Sequence, residues 1–439
     1  MTARTVDCVA DKVAGIALKP GVDAWWWWAF IPSMGLTALL AVAVSWLFAK
    51  GIGVWGNNNP VMWAFPIINY VWWIGIASGG TFISAFFFLM KATWRTALNR
   101  IAESMTLFAA ACAGLYPILH LGRPWFAYWL VPYPDTMGLW PQFRSPLLWD
   151  FYAVLTYVIS SVLFWYLGLI PDLATLRDRA ETSGKRLVYG LLAVGFQGRG
   201  EQWRHYRATY GVLAALMAPL VISVHSIVGL DFAGGEVPGW HSTQFPPFFV
   251  FGAVLSGFAS VLLLVIPLRR LLSLGAYITE RHIEVLGRLM LTASLCVGYA
   301  YVMDAFSTFY GGDPVEHRQF IDRLTGLYWP VYWATLAFNV FIPQALWWRR
   351  VRIDTAALMA ISFLVVIGMW FERFNIIVGS LHRTAMPSAW GDFHPTFWDY
   401  ATLFGTVGLF FSGFLLFVRF LPVISIFEMR ELQASGEKP

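Results

Sequence analysis

The 439-residue chain has little charge: only 13% of its residues are Asp, Glu, Lys or Arg, whereas 58% are hydrophobic and 18% aromatic. A soluble globular domain carries about a quarter charged residues, so this composition excludes an ordinary soluble protein. The net charge of +5 does not indicate nucleic-acid binding, because the basic residues lie in short connections between apolar runs. In that position they are typical topology signals of a membrane protein.

Cysteine is scarce as well, because Cys8, Cys112 and Cys296 stand alone with no CxxC or CxxCH motif. Such a chain cannot build an iron–sulfur cage or a c-type haem site by itself. A cleavable signal peptide is not expected either. Residues 1–24 are polar and mixed in charge, and the first apolar run is already long enough to span.

What the sequence does contain is a series of apolar segments long enough for membrane-spanning helices, which need about 20 residues. Ten segments qualify: 25–48, 62–90, 101–121, 146–170, 208–231, 246–268, 285–307, 326–347, 355–381 and 399–421. They predict an all-α polytopic membrane protein with both termini on one side. Lys and Arg concentrate on that side, so we expect both termini and the connection 171–207 to be cytoplasmic. Within this connection, "LATLRDRAETSGKRL" predicts an amphipathic helix.

Spans two to five and six to nine would form two four-helix units inserted in the same orientation, because each unit crosses the membrane an even number of times. The family resemblance described below implies that these units are two four-helix bundles with flanking helices. The expected division is 1–60 (cytoplasmic N-terminal segment and first flanking helix), 61–235 (first bundle with its cytoplasmic amphipathic connection), 236–390 (second bundle) and 391–439 (last flanking helix and cytoplasmic tail). No residue-level repeat is evident. A pseudo-two-fold axis along the membrane normal is therefore permitted rather than indicated.

Ionisable residues inside spans are costly and are therefore candidates for function. Here they are predicted to form one layer near the non-cytoplasmic ends of the spans. The layer consists of His120, Arg123, Asp150, His225, Asp231, Asp304, Glu372 and Arg373. A simpler explanation is that each is an interfacial end residue or half of a structural ion pair, with His225 a satisfied buried histidine. His120 and Asp150 fit that explanation least, because both adjoin aromatic and Pro- or Gly-shaped backbone.

Such a layer suits the oxidation of a quinol, which loses two protons together with two electrons. An imidazole and a carboxylate beside an apolar slot each accept a hydrogen bond from the reduced ring and take a proton during oxidation. Two other classes remain open. A haem b protein would use His120 and His225 as axial ligands. A secondary transporter would use a broken helix, for which "IASGGT" at 76–81 is a candidate, although the charges lie at one face.

Five strings carry a family resemblance: "HLGRPW" at 120–125, "FRSPLLWD" at 143–150, "WYLGLIPDLATLRDRA" at 165–180, "SVHSIVGLDFA" at 223–233 and "GMWFERFNIIV" at 368–378. In this order, over about residues 60–400, the chain resembles the NrfD-like membrane subunits of the polysulfide reductase class. More narrowly, it is similar to the C subunit of bacterial alternative complex III. One departure is that Ser78 or its neighbour stands where the second span of the family often has a histidine.

The resemblance implies a subunit of the bacterial cytoplasmic membrane that binds no haem, metal or flavin of its own. Menaquinol or ubiquinol would be oxidised near the periplasmic face. Electrons would pass to an iron–sulfur subunit docked there and then to c-type haem subunits. A paralogous NrfD-like subunit, a terminal oxidase and membrane lipids are the other implied partners, with no nucleic acid. Proton translocation is left open, as is the alternative that the chain is the membrane anchor of another NrfD-type reductase.

The resemblance also distributes roles over the charged layer. The quinol-site residues of the family fall on His120, Asp150 and Asp231, and proton-path residues fall on His225, Glu372 and Arg373. Asp304, at the same depth, joins that path. Arg123 adjoins the quinol site, where we expect it to orient a carboxylate or to brace the surface on which a partner docks.

Overall fold

The computed structural model describes residues 3–130, 146–240 and 242–434, which contain helices and no strand. The helices are α1 (Ala3–Leu18), α2 (Ala24–Lys50), α3 (Phe65–Leu89), α4 (Asn99–His120), α5 (Pro146–Arg179), α6 (Ser183–Leu192), α7 (Gly200–Ala233), α8 (Phe245–Leu271), α9 (Glu280–Gly311), α10 (Pro314–Thr325), α11 (Trp329–Leu336), α12 (Arg349–Ile353), α13 (Thr355–Leu381), α14 (Phe397–Phe420) and α15 (Ile426–Ala434). Of these, α2–α5, α7–α9, α13 and α14 are long and apolar enough to cross a membrane. The prediction of an all-α polytopic membrane protein is confirmed.

The predicted span 326–347 is not a continuous α-helix. After α11 the chain forms a π-helical turn at Ala337–Phe341 and then a 3-10 segment at Ile342–Trp347. Pro343 lies in the first turn of the 3-10 segment. Proline has no N–H to donate to the preceding turn, so the α-helical ladder cannot continue unchanged there. The ten predicted spans thus correspond, within the described residues, to nine long helices and one composite segment. Among the nine, α3 also contains a π-helical turn, at Phe82–Phe86.

The two ends of the described chain lie at the same end of the helix bundle, which we call the termini face and define by α1 and α15. Arg419, at the end of α14, donates to the carbonyls of Ala17 at 3.2 Å and of Lys19 and Gly21 at 2.9 Å. This contact ties the end of α14 to the end of α1. The opposite face is defined by the connections 51–64, 121–130, 312–328 and 382–396. Helix α1 was not expected from the mixed polar sequence, yet Val9, Ala10, Val13, Ala14 and Ala17 form a buried stripe along it.

The predicted amphipathic helix in 171–207 is divided in two. Helix α5 continues to Arg179 because Leu173 and Leu176 still pack into the bundle, with 1% and 0% of their surface exposed. Helix α6 then begins at Ser183, where the hydroxyl of Thr182 caps the helix. It exposes 64% of Leu187. The amphipathic segment is therefore shorter than expected and lies further along the chain.

Helices α3 and α8 cross near the centre of the protein through two facing glycines. A Cβ atom added to Gly79 would lie 2.1 Å from the Cα of Gly257, and the reverse substitution gives the same distance. Only glycine permits backbones to approach this closely. Because α3 also packs against α4, it contacts helices of both predicted bundles. The division at 61–235 and 236–390 stays a prediction.

Two arginines that the sequence places between the second and third spans are buried rather than exposed: Arg95 precedes α4, and Arg100 lies in its first turn. Arg95 exposes 4% of its surface and Arg100 none. Arg100 forms ion pairs with Glu103 at 2.8 Å and with Asp172 at 3.1 Å, and Arg95 pairs with Glu428 of α15 at 2.9 Å. The comparison of Lys and Arg on the two sides of the membrane assumes that every basic residue between spans is exposed to water. These two arginines instead belong to an internal ionic cluster, because a buried charge requires a partner.

Candidate functional site

Near the opposite face, α3, α5 and α7 bring a phenol and two carboxylates together, which we call the outer carboxylate group (Tyr70, Asp150 and Asp231). The Tyr70 hydroxyl donates to Oδ2 of Asp150 at 2.5 Å, and both residues are buried. Asp231 lies close enough for its charge to interact with both. Oδ1 of Asp150 and Oδ1 of Asp231 are enclosed and accept no hydrogen bond from the described residues. Enclosed acceptors without donors are typical of a site completed by a ligand or water.

Helix direction explains why these three residues meet. Helices α3 and α5 both start at the opposite face, with Tyr70 five residues and Asp150 four residues after their first residue. At about 1.5 Å per residue both side chains lie roughly 6–8 Å below the helix starts. Helix α7 runs the other way and carries Asp231 two residues before its end. Tyr70 was not predicted as a site residue, because a tyrosine in "PIINYVWW" is indistinguishable from an aromatic core residue. The available signal was that a tyrosine inside an apolar span has a hydroxyl that needs a hydrogen-bond partner.

His120 and Arg123 lie at the edge of this region and do not join the outer carboxylate group. His120 ends α4 half-buried, and its Nδ1 is enclosed without a hydrogen-bond partner among the described residues. Arg123 is exposed in the following turn. Within the described part of the chain, neither forms a hydrogen bond or ion pair with Asp150 or Asp231. Trp125, the last residue of "HLGRPW", has 58% of its surface exposed. Residues 131–145, including the start of "FRSPLLWD", lie outside the described residues.

His225 is buried deeper on α7, six residues before Asp231 and roughly 9 Å further along the helix axis. Only 1% of its surface is exposed, and neither ring nitrogen makes a well-aligned hydrogen bond to the described residues. Its Nε2 faces α3 at Gly75, where an added Cβ would lie 4.0 Å away. Arg373 is near enough to act on it electrostatically. The backbone of Val221, one turn earlier on α7, is the hydrogen-bonding group beside the ring. The role of His225 stays a prediction.

A second polar group lies on α13 and α9. Glu372 and Arg373 are adjacent, almost fully buried, and form an ion pair of 2.7 Å. The hydroxyl of Tyr301 donates to Oε2 of Glu372. The Arg373 guanidinium also lies 4.3 Å from the centre of the Phe249 ring, an additional cation–π contact. Tyr301 thus donates to Glu372 as Tyr70 donates to Asp150. Neither tyrosine was predicted as a site residue from the sequence.

A cavity of about 30 Å³ lies beside Glu372. Glu372, Tyr301, Asp304 and Arg323 are among its lining residues. Asp304 forms an ion pair with Arg323 of α10 at 3.3 Å. A cavity of this size has room for about one water molecule, and the side chains of Glu372, Tyr301, Asp304 and Arg323 offer it polar partners. The structure thus gathers Asp304 and Glu372 around one space, separate from the outer carboxylate group.

Helix α10 anchors the outer end of this second group. Oδ2 of its Asp322 lies 2.9 Å from Nε2 of His382, just beyond α13, and Arg383 also pairs with Asp322. Burial lowers the pKa of the His382 imidazole, while the Asp322 carboxylate acts to raise it. His382 was not among the predicted residues. Its position after a long apolar run was the only sequence signal.

The sequence left one cofactor site open among the described residues, a haem b bound by His120 and His225. No group of three or more His, Cys, Asp or Glu side chains that could hold a metal ion occurs in the described part of the chain. An axial haem ligand needs open space in front of its coordinating nitrogen. Nε2 of His225 lies 4.0 Å from the position that a Cβ of Gly75 on α3 would take. The absence of haem, metal and flavin stays a prediction.

Comparisons with known proteins cover the same region of the chain. The family model described as "Polysulphide reductase, NrfD" matches residues 53–385, a range that includes all eight predicted site residues and both tyrosines. The chain belongs to the NrfD family. A relative from Halobacterium salinarum, described as a putative membrane subunit of dimethyl sulfoxide reductase, is 26% identical over 370 residues. The aligned part covers 82% of this chain and 79% of that relative.

Membership in the NrfD family confirms the broader resemblance stated from the sequence. The chain is an NrfD-type, multi-pass membrane subunit of an oxidoreductase complex. The narrower similarity to the C subunit of alternative complex III stays a prediction. The roles of the individual site residues also stay predictions.

Proposed function

We propose that this NrfD-family chain is the quinol-oxidising membrane subunit of an assembly of the alternative complex III type. The main support is that two enclosed carboxylate oxygens, Oδ1 of Asp150 and Oδ1 of Asp231, accept no hydrogen bond from the described residues. A quinol ring presents two hydroxyl donors. Menaquinol or ubiquinol would therefore supply the hydrogen bonds that the outer carboxylate group lacks.

Oxidation of the bound quinol releases two electrons and two protons. Asp150 takes the proton of one ring hydroxyl as a general base, held in place by the hydrogen bond from Tyr70. Asp231 or His120 takes the second proton, since both lie near the opposite face and carry an enclosed atom without a partner. The two electrons pass to an iron–sulfur partner, since this chain contains no Cys-rich motif to receive them.

The second polar group extends the proposal to proton movement. His225 lies below Asp231 on the same helix and interacts electrostatically with Arg373. From there the Glu372–Arg373 pair and the small cavity lead to Asp304, near the opposite face. We propose that protons move along these four residues. Buried ionisable groups spaced across a bundle are typical of proton relays in membrane proteins.

The proposed orientation places the termini face in the cytoplasm and the opposite face in the periplasm of a bacterial cytoplasmic membrane. Exposed aromatic residues such as Trp125, beside the exposed Arg123, suit a docking surface for the iron–sulfur subunit. The c-type haem subunits, a paralogous NrfD-like subunit and a terminal oxidase would complete the assembly. Single cysteines at two exposed positions test this orientation. An impermeant reagent added outside intact cells should label Glu236→Cys and not Glu181→Cys, and the reverse pattern would contradict it.

A second candidate function is the membrane subunit of another NrfD-type reductase, which the description of the Halobacterium relative favours. Co-purifying subunits distinguish the two: an iron–sulfur subunit with c-type haem subunits and a quinol-oxidising activity supports the first, and a substrate-reducing catalytic subunit supports the second. A haem b subunit is the remaining alternative. Haem b bound stoichiometrically to the isolated subunit, and lost in His225→Ala, would contradict our proposal.

The test of the proposed function is quinol-dependent electron transfer per assembled complex. Asp150→Asn nearly keeps the shape of the side chain while removing the basic carboxylate, so turnover should fall by roughly 10²–10⁴-fold. His120→Ala should fall within the same range, and Asp231→Asn should lose less. Assembly should survive Asp150→Asn, because an amide is cheaper to bury than an unpaired charge.

The matched control is Asp178→Asn, the same change at an exposed position near the other end of α5. It should turn over at the wild-type rate. A purely structural role for Asp150 predicts a different pattern: poor assembly, with near-normal turnover in whatever complex assembles. Wild-type turnover in Asp150→Asn would end the proposal.

A further inference from the structure

A cleft at the termini face combines apolar walls with two basic side chains. Its volume is about 340 Å³, and it lies between α6 and the end of α14. The lining residues are Ala17, Gly184, Lys185, Val188, Tyr189, Leu192, Arg419, Phe420 and Leu421. We call it the α6 cleft. Lys185 and Arg419 are its only charged lining residues among those described, and no carboxylate is among them.

Both basic side chains keep hydrogen-bonding capacity. The Lys185 ammonium donates to the Leu18 carbonyl at 2.8 Å, which uses one of its three donors. The Arg419 guanidinium binds backbone carbonyls at the end of α1 through its two terminal nitrogens. Its Nε is enclosed and has no partner among the described residues. Asp23 acts electrostatically on Arg419 but does not line the cleft, so Lys185 is the cation in the cleft that has no ion pair among the described residues.

The position of the cleft is that of a membrane interface. Helix α14 ends its span at Phe420, and α5 ends its own at Arg179, just before α6. Helix α6 exposes 64% of Leu187 and 72% of Leu191 beside the cleft. A short helix with exposed apolar residues and basic residues at this level is typical of an interfacial amphipathic helix.

We propose that the α6 cleft binds an anionic phospholipid. The phosphate lies between Lys185 and Arg419, and an acyl chain lies along Val188, Leu192 and Phe420. Charge complementarity decides the lipid class, because the ammonium of a zwitterionic lipid would find no carboxylate among the described lining residues. The apolar walls favour a lipid over free phosphate. This inference is independent of the quinol chemistry proposed above.

The test uses the full chain in lipid nanodiscs of phosphatidylcholine, with or without phosphatidylglycerol. Phosphatidylglycerol should raise the unfolding temperature of the wild type, and native mass spectrometry should find it retained. Lys185→Gln should lose this increase and retain about fivefold less phosphatidylglycerol, as expected for one basic residue near an anionic lipid surface. The matched control is Arg186→Gln. This neighbour has the same charge, binds the Ala180 carbonyl and does not line the cleft.

Four outcomes would overturn the proposal. Lys185→Gln could keep the full increase, Arg186→Gln could lose as much, phosphatidylcholine alone could stabilise equally, or inorganic phosphate in detergent could reproduce the effect.

Val188→Trp gives a second test that does not depend on the charge. It fills the cleft at a half-exposed position of α6, and it should reduce retained phosphatidylglycerol while both basic residues remain. Unchanged retention in this variant would also contradict the proposal.

Discussion

Tyr70→Phe tests whether the hydrogen bond to Asp150 matters for turnover. The change removes only the hydroxyl that donates to Oδ2 at 2.5 Å and keeps the buried ring. Because Oδ1 of Asp150 already lacks a donor, the carboxylate would have no donor left among the described residues. A hydrogen bond to a charged group contributes about 1.5–3 kcal/mol. If the bond holds Asp150 in its reactive position, turnover should fall roughly ten- to hundredfold.

The assay is quinol-dependent reduction of the downstream acceptor, normalised to assembled complex, together with the unfolding temperature. The matched control is Tyr116→Phe. Tyr116 is also fully buried, and its hydroxyl lies 2.9 Å from Oγ1 of Thr406, away from the outer carboxylate group. Tyr116→Phe should lower the free energy of unfolding by about 1 kcal/mol and leave turnover unchanged. Wild-type turnover in Tyr70→Phe, or an equal loss in Tyr116→Phe, would refute the reasoning.

Two further predictions concern the fold. Arg100→Leu leaves two buried carboxylates without their shared partner, so it should destabilise by about 3–5 kcal/mol and abolish the folded peak in size-exclusion chromatography. Lys91→Met, at an exposed position in the connection before α4, should change stability by about 0.5 kcal/mol or less. Equal effects of the two substitutions would contradict the burial of Arg100. Gly79→Ala places a Cβ 2.1 Å from the Cα of Gly257 and should cost about 1–3 kcal/mol in thermal unfolding, whereas Gly114→Ala meets open space and should be neutral or stabilising. Similar unfolding temperatures for the two alanine variants would contradict the close crossing.

The spans were predictable because each is a local property of length and apolar composition. The predictions that the structure corrects depended on tertiary contacts. Arg95 and Arg100 were counted as exposed topology signals, because their partners Asp172 and Glu428 are far away in sequence. Helix α1 was missed for a similar reason, since its buried stripe has meaning only against the helices that cover it.

The layer of ionisable residues was also predictable, because helix direction and the rise per residue fix depth. Pairing within the layer was not. It depends on how each helix is rotated about its axis, which close contacts such as Gly79 against Gly257 determine. Depth alone therefore placed His120 with Asp150. The structure pairs Asp150 with Tyr70 instead and leaves His120 at the edge, half-buried.

The proposed function requires that quinol binds at the outer carboxylate group. The most direct test is photo-crosslinking of an azido-quinone to the assembled complex, followed by mapping of the labelled peptides. We expect label on α3 near Tyr70 and on α5 near Asp150, competed away by unlabelled quinone and reduced in Asp150→Asn. Competable label confined to the region of Asp304 and Glu372, or unchanged in Asp150→Asn, would contradict the claim.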